Sequence, residues 1–302
     1  LLWVRKYGKL LVKLILIGVL IGLIGAGGYA AYYFYPPHYS GRVTVLEYHD
    51  ISYDKGEYSI TPELFRAQLE LLKGNGAHFI TSDQFEAFMK GEAEIPDDAM
   101  LVTFDDGFAS YAQTALPILE ELEIPSVQFL ITGYAYQSKK TDKFLTTTQI
   151  QAILQHNDEA GPAKAEFGCH THASHIFNDG KGILAQPIHM NGKQETVEEY
   201  HKRVRDDLVR CQSELQKLYT GAGRRPTAAA HMLAYPFGSY DPQSLEVYQS
   251  AGIQYAFTGE PRLVRQDDAA LLIPRIHAGV PQATPYRLQY WVKRGISRAA
   301  AQ

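Results

Sequence analysis

The run Ala99–Phe104, AMLVTF, is apolar without interruption. A strand of that kind is buried on both faces, so the chain must place a layer on either side of a sheet. Similar strand-like runs, RVTVLEYH, HFIT, SVQFLI, AEFGCH, HMLAYP and IQYAFT, alternate with helix-like ones. Thr61 can cap a helix with Pro62 at its first position and a stop at Gly74 and Gly76. Ser82 can cap a second around Phe85 and Phe88, and SYAQTALPILEELE and TTQIQAILQ read as two more. Thr196 to Glu199 forms a capping box that opens a long helix, and a further helix follows Pro242. Repeated β-then-α units imply parallel strands with helices outside, as a barrel or an open doubly wound sheet. In either case the chemistry gathers at the carboxyl ends of the strands.

A chain of 302 residues that is 45% hydrophobic can bury a large core, as one big α/β domain or two small ones. Its net charge of −4 leaves no basic footprint, so nucleic acid is not an expected partner. The N-terminus belongs to another regime. From Leu14 to Phe34 there is no charge, and at about 1.5 Å per residue this run is long enough as a helix to cross a hydrocarbon core of roughly 30 Å. Arg5, Lys6, Lys9 and Lys13 precede it, and Tyr29, Tyr32, Tyr33 and Tyr35 cluster at its far end. That arrangement places the N-terminus in the cytoplasm and the bulk of the chain outside. The run exceeds the usual apolar core of a cleaved signal peptide, which favours an uncleaved anchor. The expected organisation is a basic segment 1–13, a transmembrane helix 14–35, a linker 36–41 opened by Pro36 and Pro37, and an extracytoplasmic domain 42–302.

Two cysteines make no disulfide framework. Cys211 lies in the stripe Val197, Tyr200, Val204, Leu208, Cys211, Leu215, Leu218, whose steps of three and four describe one helix face. Cys169, at a strand end, is read as a small buried residue. The charges of EEYHKRVRDDLVRCQSELQKL are read as a solvated outer face.

Residues that directly follow strands can converge. Tyr48, His49 and Asp50 meet that test, as do Asp105 and Asp106, the segment HTHASH at 170–175, and Tyr235, Pro236 and Phe237. Adjacent carboxylates repel, so a strand that ends in two of them usually has a cation nearby; a solvated Asp-Gly turn is the competing reading. Imidazoles with a carboxylate suit zinc or another first-row divalent ion, and two histidines plus one aspartate leave positions open for catalysis. Spacing alone does not choose among His170, His172 and His175. An extended segment puts His170 and His172 on one face, whereas a turn after Thr171 brings His170 and His175 together.

The order TFDDG, HTHASH, AYPFGSYD resembles the polysaccharide deacetylase family, the NodB-homology carbohydrate esterases, over roughly residues 42 to 280. YHDIS with YSITPELFRAQLELLKGNGAHFITSDQF is similar to the branch that includes poly-β-1,6-N-acetylglucosamine deacetylases. The resemblance implies an irregular, TIM-like (β/α) barrel and hydrolysis of N-acetyl groups on an amino-sugar polymer to acetate and a free amine. It selects His170, His175 and Asp106 as ligands of a divalent metal, zinc first with cobalt or nickel also accommodated, and Asp105 as general base. The segment Tyr235, Pro236, Phe237 is implied to meet substrate and to offer a backbone N–H to the oxyanion. Where many members carry an arginine two residues before the motif proline, this chain has Ala234, and Arg275 is the expected substitute partner of Asp105. His277 is the expected general acid, with His49 a second candidate near the metal and a substrate contact. The insertion IFNDGKGILAQPIHMNGKQ is placed to border the groove. A monomer acting on an N-acetylated polysaccharide at the outer face of a membrane is expected. A glycosidase on the same barrel, or a glycan-binding module without activity, are the competing classes.

Overall fold

The computed structural model describes residues 2–34, 38–137, 142–190 and 192–294. The chain separates into two units, 1–38 and 39–302. The first contains helix α1, Leu2–Phe34. Its apolar side chains from Val12 to Ile24 are all more than half exposed, around the whole circumference. Among the described residues, no helix is long and apolar enough to cross a membrane, so the transmembrane helix expected over 14–35 is not borne out there. Pro36 and Pro37 lie outside the described residues, as do the side chains of Arg5, Lys6, Lys9 and the four tyrosines from 29 to 35.

The second unit is built on a nine-stranded sheet. Its strands are β1 (Arg42–Tyr48), β2 (His78–Phe79), β3 (Ala99–Phe104), β4 (Ser126–Leu130), β5 (Ala165–Cys169), β6 (Met232–Ala234), β7 (Tyr255–Phe257), β8 (Val264–Arg265) and β9 (Ile276–His277). The order is β7-β6-β5-β4-β3-β1-β8, with β9 also on β1 and β2 on β3. All pairings are parallel except β1 with β8. No full ladder joins β7 to β1. Instead Ile273 makes a single parallel bridge to Phe257, and the chain then reaches β1 through Ile276 and His277. The barrel expected from the sequence is therefore irregular at this seam, where one short segment spans the gap.

Strand alternation sorts the residues into two faces. Leu46, Tyr48, Met100, Val102, Phe104, Phe167 and Cys169 share one core cluster with α2 (Pro62–Gly74), α5 (Thr147–His156) and the long helix α6 (Val197–Gly221). Val43, Val45, Leu101, Val127 and Phe129 share the other with Phe85 and Phe88 of α3 (Ser82–Met89). Continuing that second face past the last apolar residue of each strand gives Glu47, Asp105, His170, Arg275 and His277.

Several local expectations change by a residue or a pairing. The cap of α3 is Thr81, in a capping box with Gln84, because Ser82 is buried and donates to Glu166. The helix expected from Ser110 begins as a π turn, Tyr111–Ala115, before α4 (Leu116–Glu121). Pro117 has no N–H to donate, and the Leu116 N–H reaches back to the Tyr111 carbonyl. Cys169 and Cys211, read as two separate core residues, are joined in a disulfide with their Cα atoms 6.1 Å apart. Both positions are fully buried as expected; the pairing follows from the packing of α6 against the end of β5, which residue spacing does not show.

Candidate active site

A cleft of about 690 Å³ opens at the carboxyl ends of the strands and is lined by Glu47, His49, Asp105, Asp106, His170, His175, Arg275 and His277. Three of its loop residues hold the left-handed backbone conformation although none is glycine: Asp106 (φ 72°), Thr171 (φ 76°) and Phe237 (φ 59°). Such positions cost free energy and persist where the surroundings enforce them. At Asp106 the turn, with Gly107 at φ 80°, re-aims the second carboxylate away from the first. At Thr171 it folds the chain back, so that the rings of His170 and His175 lie 5.0 Å apart. His172 leaves this cluster and meets the Thr132 hydroxyl through Nδ1 at 2.9 Å.

Asp105 is buried and accepts both terminal nitrogens of Arg275, each at 2.8 Å. Burial, the largest influence, pushes its pKa up, but the Arg275 guanidinium together with His170 and His49 outweighs burial and holds the carboxyl well below the usual carboxylate range. Arg275 is itself 1% exposed, and its Nε lies 3.3 Å from Glu47 Oε2. The other Glu47 oxygen accepts from His277 Nδ1 at 3.0 Å. The seam segment is what brings Arg275 here, since residues 273–277 cross the mouth of the sheet from β7 to β1.

Asp106, His170 and His175 present ligand atoms within 4.8 Å of one another. Asp106 Oδ1 is buried with no hydrogen-bonded donor, 3.2 Å from His175 Nε2 and 3.4 Å from His170 Nε2. His170 Nδ1 lies 2.8 Å from the Ala234 carbonyl, which only accepts, so Nδ1 carries the hydrogen and Nε2 of the neutral ring is a bare lone pair. Acceptors that converge in this way call for a positive charge between them. The titration behaviour agrees: burial pushes His170 down, yet Asp105 and Asp106 raise it more. Burial and the neighbouring His170 push His175 down to about 4, which keeps it neutral and ready to ligate. The donor set fits a divalent ion of the zinc type.

Other expected residues sit differently. His49 is near the cluster, its ring 4.9 Å from Tyr58. Asp50 is held by the hydroxyls of Ser52, Ser59 and Ser110. Tyr235, expected to touch substrate, borders the cleft and is itself fully buried. Its hydroxyl donates to the Leu271 carbonyl and its N–H to the Phe257 carbonyl, because β6 and β7 remain paired there. Pro236 has no N–H and is buried in the turn. Phe237 is at the rim, 47% exposed, its ring against His175 at 4.5 Å and Phe177 at 5.2 Å. Phe177 comes from the insertion after the histidines, which folds into two short hairpins.

Two residues were missed by sequence reasoning. Glu47 carried a signal: a carboxylate inside an otherwise apolar strand run is rarely buried without a partner. Asp207 carried none, since it lies among the charges of α6 read as solvated. Its carboxylate accepts the N–H groups of His172 and Ala173 at 2.9 and 2.8 Å, and so grips the histidine loop from α6.

The family model for polysaccharide deacetylase matches residues 92–256, which include both aspartates and all of the histidine loop. The chain belongs to the polysaccharide deacetylase family. Members are hydrolases of amide C–N bonds, and this chain is one, which sets aside the glycosidase and the inert binding module. Among the relatives of this deacetylase is the poly-beta-1,6-N-acetyl-D-glucosamine N-deacetylase of Staphylococcus epidermidis, 26% identical over 220 residues, or 72% of this chain and 68% of that protein. The Staphylococcus aureus enzyme of the same name is 25% identical over 228 residues, covering 72% and 67%. In fold the deacetylase matches IcaB from Ammonifex degensii with a TM-score of 0.68, 24% identity, and coverage of 84% of this chain and 98% of that one.

Proposed function

We propose that this deacetylase removes N-acetyl groups from poly-N-acetylglucosamine-type polymers with a divalent metal, zinc first, held by Asp106, His170 and His175. The observation that carries the reading is the buried Asp105–Arg275 clamp directly beside that three-acceptor cluster. When bound, the ion supplies a nucleophile at neutral pH and polarises the acetamide carbonyl. Asp105 stays ionised throughout the neutral range, and each of its oxygens has a lone pair left after accepting Arg275. It takes the proton of the attacking water. His277 gives a proton to the departing amine. In the turn after β6, the N–H groups of Tyr235, Gly238 and Ser239 are committed to other carbonyls and Pro236 has none, so Phe237 offers its N–H to the developing oxyanion. Tyr58, Phe177 and Phe237, each about half exposed, give the cleft an aromatic rim suited to sugar rings.

The polymer class is supported by the staphylococcal relatives and by the YHDIS segment. A location at the outer face of a membrane, tethered by the N-terminal helix, is supported by the uncharged run 14–34 and by the exposed apolar side chains of α1. The test is acetate release by the full chain in detergent from β-1,6- and β-1,4-linked N-acetylglucosamine oligomers and from peptidoglycan. Release from the β-1,6 oligomers, abolished by a chelator and restored by zinc or cobalt, is expected. Preference for another polymer would replace the substrate, and chelator-resistant release would remove the metal.

Asp207→Ala is expected to weaken metal binding about 10- to 100-fold, the usual cost of removing a group that orients ligands. Titration with cobalt, followed by its visible absorption, measures this directly. Unchanged affinity would mean that the loop holds its shape without α6.

A further inference from the structure

We infer that the bridge between Cys169 and Cys211 is a positioning device for the metal ligands, so that Asp106, His170 and His175 bind an ion tightly only in the oxidised protein. The inference rests on the proposed metal reading of that cluster for its chemistry, and on α6 for its geometry. Cys169 is the residue directly before His170, and the bridge ties it to α6. Asp207 stands one helical turn before Cys211 and so on the same face of α6. Its carboxylate accepts the N–H groups of His172 and Ala173, at 2.9 and 2.8 Å. One helix thus holds the backbone on both sides of Thr171.

Thr171 is where that hold is needed. It has the left-handed backbone (φ 76°), it is fully buried, and its hydroxyl is buried with no hydrogen-bond partner among the described residues. A strained backbone and an unsatisfied hydroxyl both cost free energy, so the turn relaxes unless its neighbours enforce it. The carbonyls of Thr171 and His172 are held from the other side by the N–H groups of Thr132 and Gly133, at 3.1 and 2.9 Å. Those bonds leave the N–H side of the loop to α6. The Thr171 N–H itself meets Cys169 Sγ, 3.3 Å away. Strand alternation sends the Cys169 side chain into the core cluster shared with α6 and the His170 ring into the cleft. The sulfur is therefore no ligand, and it acts on the site through the backbone.

Closing the bridge takes two protons and two electrons from the two thiols. A small disulfide such as oxidised glutathione accepts them. One cysteine thiolate attacks it and expels the first glutathione thiolate, and the second cysteine thiolate displaces the other, so that the protons end on two glutathione thiols and the protein keeps the bridge. Both cysteines are fully buried in the folded chain, so closure belongs to folding, before the core covers the sulfurs. Disulfides persist in oxidising compartments and are reduced in the cytosol. Tight metal uptake is thereby tied to the outer-face location proposed for this deacetylase.

The experiment compares the full chain in detergent as oxidised wild type, as wild type made and kept under a phosphine reductant, as that reduced protein refolded with oxidised glutathione, and as Cys211→Val, which is apolar and cannot bridge. Cobalt titration by visible absorption, after the phosphine is removed, is expected to show affinity about 10- to 100-fold weaker in the reduced and Cys211→Val forms than in the oxidised one, with recovery on reoxidation. Equal affinities overturn the inference, because a bridge that only staples the chain acts on the unfolded state and leaves the folded site unchanged. Absorption from a cobalt–sulfur bond in the reduced form overturns it too, since Cys169 is then a ligand. Amide hydrogen exchange of the metal-free protein gives a second readout, in which the N–H groups of His172 and Ala173 are expected to lose about tenfold or more of their protection in the unbridged forms. A merely structural bridge speeds only those amides that exchange through global unfolding, so unchanged exchange at His172 and Ala173 sinks the inference. If Cys211→Val does not fold, the reduced wild type, with every side chain in place, decides alone. Should oxidised wild type take up no cobalt, the metal reading fails, whereas the exchange still decides whether the bridge holds the histidine loop.

Discussion

Asp105→Asn is expected to lower kcat for acetate release by about 10²- to 10⁴-fold, the range for loss of a general base. The substitution keeps the side-chain shape and leaves Asp106, His170 and His175 in place, so cobalt affinity should change little. What is lost is the negative charge that accepts the water proton, together with one of the two bonds to Arg275, because an amide nitrogen cannot accept from a guanidinium. The same variant carries a stability signature with a definite sign. Asp105 in the folded protein has a depressed pKa, so its contribution is fully present above the ordinary carboxylate range and is lost as pH falls through the folded value. Removing the charge should therefore destabilise the protein most at neutral pH and least in acid. Urea unfolding at several pH values, beside kinetics at saturating cobalt, tests both halves. Retention of more than a tenth of the wild-type kcat would show that another group takes the proton.

The parts of this site that were legible in the sequence share one property: they lie just past strands that the apolar pattern identifies. AMLVTF leads to Asp105 and Asp106, and AEFGC leads to His170. Alternation alone then puts Asp105 and His170 on the same face of the sheet. The choice between His172 and His175 was not legible from spacing, because it depends on the left-handed turn at Thr171. Nor was the disulfide, since each cysteine satisfied a core pattern by itself and only the docking of α6 brings them together. The orientation of Tyr235 was not legible for a related reason. It follows a strand, but β6 and β7 stay paired one residue further than the apolar run indicates, and this turns its N–H and its hydroxyl inward. The seam at 273–277 reads as a short strand-like run, but no residue pattern shows that it links β7 to β1. Arg275 was found through a gap in a motif, the alanine at 234, rather than through any local signal of its own.

That arginine carries the second large expectation. Arg275→Met, similar in length and free of charge, is expected to destabilise the protein by about 3–5 kcal/mol, because it strands two buried carboxylates. Wild-type Arg275 satisfies Asp105 through both terminal nitrogens and approaches Glu47 through Nε. Without it, burial, the largest influence on Asp105, is opposed only by the nearby imidazoles of His170 and His49, and the folded pKa is expected to rise above the unfolded one. The sign of the linkage then reverses. In wild type Asp105 gains stability as pH rises from acid, whereas in the variant the protonated form is favoured in the folded state and stability is lost as pH rises through the unfolded pKa towards the folded one. The gap in unfolding free energy between the two proteins should therefore be wider at pH 7.5 than at pH 5. A protonated Asp105 is also no base, so the acid limb of the activity profile should move up in pH. A constant stability gap across that range, with an unchanged activity profile, would mean that Asp105 does not depend on Arg275 for its charge, and the clamp would then be a matter of packing alone.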